Sequence, residues 1–223
     1  MKILFVGDIT GRSGMEKATQ ELGRLKRQYG ADLVIVNGEN AAERNGITEK
    51  QFRDLRFAGA DVVTLGNHAW ANQEIYNFID REDAIIRPLN YPAGTPGKGY
   101  TIVDMGRVQV AVVNLLGNVF VSSLPSPFTM IDDVLAELKQ QGVRHIIIDL
   151  HAEATSEKIA FAHYVDGRVS AVLGVKTELS VQQFVTQIPV RFQHAEGEAR
   201  LCGVIAELDD KTGLAKNIQA IQV

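Results

Sequence analysis

DLVIVNGEN, residues 32–40, is the stretch whose reading decides the fold. Leu33 to Val36 form an unbroken aliphatic run of the kind that suits a strand buried on both faces. The run breaks at Gly38 and delivers Glu39 and Asn40 at its carboxyl end. The same design occurs on either side. Upstream, KILFVGD (2–8) is an apolar strand that ends in Gly7 and Asp8, and downstream DVVTLGNH (61–68) ends in Gly66, Asn67 and His68. Between the first two lies GMEKATQELGRLKRQYG (14–30), with helical spacing and a terminal Gly30. Between the second and third lies ITEKQFRDLRFAG (47–59), with Thr48 placed as its N-cap. Strand, helix and strand in alternation around aliphatic runs predict a parallel βαβ sheet with helices on both faces.

Further along, RPLNYPAGTPGKG (87–99) holds three prolines and three glycines and is expected to be an irregular loop at a site wall. YTIVDMGRVQVAVVNLLG (100–117) reads as a hairpin turning at Met105 and Gly106. Thr129 is placed ahead of a helix over 130–142, and HIIIDLHAE (145–153) is a fourth strand that ends in ionisable groups. SEKIAFAHYV (156–165) reads as a helix, RVSAVLG (168–174) as a strand, TELSVQQFVTQ (177–187) as a helix and RFQHAEGEARLCGVIAEL (191–208) as a closing hairpin. These late hairpins favour two stacked mixed sheets flanked by helices in one domain spanning 1–223. That length is ample for one core and calls for no second domain.

Composition narrows the function classes. At 45% hydrophobic and 22% charged the chain reads as an ordinary globular protein. A net charge of -4 and a pI near 5.8 provide no extended nucleic-acid or anionic-lipid surface, which favours a small phosphate-bearing ligand held locally. No apolar run approaches a membrane span, and the one cysteine, Cys202, is expected in the core of a cytoplasmic protein. Self-association into a homo-oligomer stays open.

The chemistry lies in the repetition. Asp8, Glu39 with Asn40, Asn67 with His68, and Asp149 to Glu153 with His151 all stand at strand ends. Strand ends support donors rigidly, and a binuclear hydrolase requires carboxylates and neutral nitrogen or amide-oxygen donors, one carboxylate bridging its ions. Each residue alone has an ordinary structural reading: Asp8 as a turn residue, Glu39 and Asn40 as loop residues, Asn67 as a left-handed turn residue, His151 as a core histidine. Four coincidences at four strand ends favour the site. His145, His163 and His194 lack this setting and read as structural.

GDITG, VNGENAA, LGNHAW, RPLNYPAGTPGKGY, NLLGNVF and HAEATSEK, followed by PVRF and AEGEA, resemble the bacterial YmdB-type metallophosphoesterases, a branch of the calcineurin-like superfamily. The resemblance implies the calcineurin-like metallophosphoesterase fold and hydrolysis of cyclic nucleotides such as 2′,3′-cyclic AMP by in-line displacement at phosphorus. It implies two divalent ions, iron or manganese. Asp8 and Asn40 would bind one ion, Asn67 and His151 the other, and Glu39 both, with His68 as the general acid on the leaving oxygen. Asn90 would contact substrate. Glu153, Thr155, Ser156 and Glu157 read more simply as a helix start.

One departure stands out. Where the family pattern continues with Gly-Thr-His-Thr-His, Gly174 runs directly into VKTELSVQQFV, and Val175, Lys176 and Thr177 cannot replace the two imidazoles. Either a segment between Gly174 and Val175 is missing from this sequence, the favoured reading, or the protein is a catalytically silent nucleotide-binding or regulatory relative. A bonded trans peptide would put those two Cα atoms about 3.8 Å apart.

Overall fold

A computed structural model describes residues 1–121, 123–165, 171–173 and 200–223. Two stacked sheets carry the fold. In the first half, β1 (Lys2–Val6), α1 (Gly11–Tyr29), β2 (Leu33–Asn37), α2 (Glu49–Ala58), β3 (Val62–Thr64) and β4 (Ile85–Ile86) follow one another as parallel crossovers. Then come β5 (Tyr100–Asp104), β6 (Gln109–Leu116), α3 (Pro127–Gln140), β7 (His145–His151), α4 (Thr155–Tyr164) and β8 (Ala171–Leu173), before β9 (Cys202–Leu208) and β10 (Ala215–Gln222). The strand orders are β10-β9-β1-β2-β3-β4 and β5-β6-β7-β8.

Local chemistry explains most boundaries. Thr48 caps α2 as expected, accepting from Gln51 N while the Gln51 side chain accepts from Thr48 N, and the helix ends on left-handed Gly59. The β5–β6 hairpin turns at Met105 and Gly106, where Met105 N donates to Val108 O at 3.0 Å. The core has three parts. One lies under α1 and α2, one under α3 and α4, and the third fills the seam between the sheets, where Ile3, Phe5, Ile35 and Val62 face Val110, Val112 and Ile147.

Three expectations are corrected. Helix α3 begins at Pro127 rather than after Thr129, because Ser126 caps it and proline, which needs no N–H there, occupies its first turn. The described terminal hairpin joins β9 to β10, so residues 202–208 pair with the C-terminal strand and with β1. Cys202, at the strand's first residue, is exposed. The helix expected over 177–187, His194, residues 191–199 and the Gly174–Val175 junction lie outside the described residues.

Candidate metal centre

The carboxyl ends of β1, β2, β3 and β7 meet at one place. Beyond β1, Ile9 N donates to Asn37 O at 3.0 Å and Gly11 N to Asn40 O at 2.8 Å, which ties the Asp8 loop to the end of β2. Asn40 Nδ2 accordingly reaches Asp8 Oδ2 at 2.8 Å and Glu39 Oε1 at 3.1 Å. Glu39 is only 1% exposed and forms the hub. Its Oε2 accepts from the backbone N–H of His68 at 3.1 Å, and its Oε1 lies 3.1 Å from His151 Nε2 and 3.4 Å from His68 Nδ1. Gly66 makes this approach sterically feasible. A Cβ there would lie 2.1 Å from Glu39 Oε2 and 2.7 Å from His151 Cγ, so only glycine fits between β3 and the hub.

The electrostatics follow from this packing. Burial alone would push the Glu39 carboxyl up, but the His151 charge and the contacts with His68, its ring and its backbone N–H, outweigh it and hold Glu39 below the usual carboxylate range. His68 is raised above an ordinary imidazole, chiefly by its contact with Glu39 and less by the charges of Asp8 and Glu153. The donor set fits a divalent ion: two carboxylates, the His151 imidazole, and the buried Asn40 Oδ1, which has no hydrogen-bond partner while its Nδ2 is doubly engaged. Among the described residues no three His, Cys, Asp or Glu side chains form an ion cage by themselves, so amide oxygens would have to complete it.

Two of the residues singled out from sequence have no side-chain hydrogen bond to this cluster. Asn67 sits in the turn beside His68, and its side chain makes no hydrogen bond to the other five. Asn90 is fully buried and bonds only to backbone. Its Nδ2 donates to Leu116 O at 2.6 Å and Pro125 O at 3.1 Å, and its Oδ1 accepts from Leu116 N at 2.9 Å. In this arrangement both N–H groups of its amide are spent on backbone carbonyls, and it fixes the end of β6.

Several residues around the centre take roles that the sequence reading did not assign. Asp149, two residues before His151, lies at the seam between the sheets, where its Oδ2 accepts from Thr64 Oγ1 at 2.5 Å and Asn37 Nδ2 at 3.2 Å. Asn114 joins the same layer, accepting from Leu65 N and donating to Asp149 O. Burial, the dominant influence, pushes Asp149 up to about 6. Glu157 stands in the first turn of α4 as expected, yet its carboxylate accepts from Asn118 N at 2.8 Å and Val119 N at 3.2 Å, so it also anchors the loop after β6. Polar residues that interrupt or end aliphatic strands, Asn114 and Asp149 within them and Asn37 and Thr64 at their last positions, are the sequence signal that could have found this layer.

A model of the YmdB-like protein family matches residues 4–180 and 171–221 of this sequence. The chain belongs to the YmdB-like family. Among its relatives, the 2′,3′-cyclic-nucleotide 2′-phosphodiesterase of Bacillus subtilis (strain 168) is 39% identical, with 100% of this chain and 97% of that protein covered. That alignment runs over 257 positions against a chain of 223 residues, so at least 34 of them have no counterpart here. Of solved structures, a hypothetical protein from Thermus thermophilus superposes with a TM-score of 0.86 at 35% identity, covering 100% and 99% of the two chains. A phosphatase from Mycoplasma pneumoniae does so with 0.83 at 27%, covering 100% and 93%. The fold is that of the calcineurin-like metallophosphoesterases, two stacked mixed sheets flanked by helices. Among the described residues no helix is long and apolar enough to cross a membrane.

Proposed function

We propose that this YmdB-like chain is a metal-dependent phosphodiesterase acting on cyclic nucleotides such as 2′,3′-cyclic AMP. The observation that carries the reading is the convergence of Asn40, His68 and His151 on buried Glu39, with Asp8 joined to it through Asn40. Asp8, Glu39, Asn40, Asn67 and His151 would hold divalent ions, two when the set is complete, with iron and manganese suiting mixed oxygen and nitrogen donors. When bound, the metal supplies Lewis acidity toward the phosphoryl oxygens. Glu39, kept ionised in a buried position, supplies the negative charge that retains a cation. His68 turns Nδ1 toward Glu39, which leaves its Nε2 to carry a proton to the departing ribose oxygen, and the contact with Glu39 that raises its pKa favours the protonated form. The substrate class is also the one named for the Bacillus relative. A reducing, cytoplasmic setting accords with one free and exposed thiol.

Manganese- or iron-loaded protein should hydrolyse 2′,3′-cyclic AMP and bis-p-nitrophenyl phosphate, with Asp8→Asn and His68→Ala each losing at least about a hundredfold. No turnover with either ion sinks the reading. A second reading, a silent nucleotide binder on the same scaffold, draws on the absent His-x-His pair and the 34 unmatched positions. We favour a missing segment between Gly174 and Val175 of a single domain, because the other strand-end residues are intact. Two ions per chain by elemental analysis would exclude the silent binder.

A further inference from the structure

The aromatic residues near the centre have no part in holding metal or moving protons. Trp70, the one tryptophan of the chain, stands two residues after His68 in the same turn, where Ala71 N donates to His68 O at 2.9 Å. Its indole stacks on Tyr76 with ring centroids 5.3 Å apart and planes 17° from parallel. Tyr91 meets it edge-on, at 5.6 Å and 80°. Trp70 and Tyr91 therefore make a right-angled corner of two aromatic walls, with Tyr76, 51% exposed, behind one of them.

The corner is braced and adjoins the hub. Trp70 packs on the core beneath α1 and α2. Tyr91 lies on the proline- and glycine-rich loop, which Arg87 fastens from within by donating to the carbonyls of Pro88, Thr95 and Pro96. The hub is adjoined through Trp70, two residues beyond His68, whose backbone N–H donates to Glu39 Oε2 at 3.1 Å. Half-buried rings held in fixed orientation beside a phosphate-handling site suit a flat, neutral, π-bearing group.

Given the phosphodiesterase reading, on which this rests, we propose that Trp70 and Tyr91, backed by Tyr76, form the subsite for the nucleobase of the substrate. Stacking reads a π face rather than a hydrogen-bonding edge, so the subsite accepts any base and favours purines for their larger area.

Because Trp70 is the sole tryptophan, its fluorescence reports on the subsite directly. Titration with 2′,3′-cyclic AMP should quench it saturably, whereas inorganic phosphate and the base-free diester glycerol 1,2-cyclic phosphate should not. In steady-state assays Tyr91→Leu should raise the KM for 2′,3′-cyclic AMP about tenfold relative to that for glycerol 1,2-cyclic phosphate, within what one stacked base is worth. Tyr91→Phe, which keeps the ring, should restore most of that ratio. A quench that base-free phosphates reproduce, or a Tyr91→Leu loss equal for both substrates, overturns the proposal. If the wild-type protein turns over neither diester, the phosphodiesterase reading falls, while the quench still decides the base subsite.

Discussion

Glu39 is the residue on which most depends, because its buried carboxylate is shared by two imidazoles and an amide. Glu39→Gln should bring the His68 pKa down toward the ordinary imidazole value, as followed by proton NMR of metal-free protein. The pairing raises His68, so its contribution to stability is full below about pH 6.5 and fades as the pH climbs through the raised value. Asp149 has the same sense in a lower pH window. Pushed up to about 6 by burial, it binds its proton more tightly folded than unfolded, so stability falls as the pH rises from about 4 to 6, by on the order of 3 kcal/mol. Urea titrations across that window should show the slope in the wild type and its loss in Asp149→Asn. Gly66→Ala should cost about 10–100-fold in metal affinity, measured by competition with a chelator, because its Cβ would displace the Glu39 carboxylate. Asp8, Glu39, Asn40, His68 and His151 could be picked out from sequence because each ends a strand. Gly66 and Asp149 could not be weighed there, since their roles depend on which strands become neighbours in space.

At the scale of elements, the strand-helix alternation was readable through β3 because propensity, capping and periodicity agreed there. Thr48 shows the agreement, since cap, capping box and glycine stop all fall where the pattern puts them. Helix α3 shows the limit. Ser126 and Thr129 are both sound caps in isolation, and Pro127, whose fixed φ suits a first turn, decides between them. Asn90 likewise became legible only once β6 and its following loop were placed. Removing its amide takes the hydrogen-bond partner from both the carbonyl and the N–H of Leu116, a residue only 1% exposed. Asn90→Ala should therefore destabilise the protein by about 3 kcal/mol in urea unfolding. A variant of wild-type stability with a selectively raised KM would instead assign Asn90 to substrate.

For the molecule as a whole, the seam between the sheets unites both aliphatic packing and the Asn37–Thr64–Asp149 bonds. Unfolding should therefore be a single transition, with Trp70 fluorescence on one sheet and far-UV circular dichroism of the whole chain giving the same urea midpoint. Two separated midpoints would show that the layers part before either melts. The stacking of two sheets was foreseen from the late hairpins, but the pairing of β9 with β1 was not, because contacts between chain ends leave little local signature. The centre itself draws Asp8, Glu39, Asn40 and His68 from one sheet and His151 from the other. That division acquires a meaning during synthesis. At about 5–20 residues/s, on the order of ten seconds separate the emergence of His68 from that of His151. A nascent chain holding the first four groups still lacks His151. Completion of the proposed ligand set is thus deferred by translation order until the second layer exists.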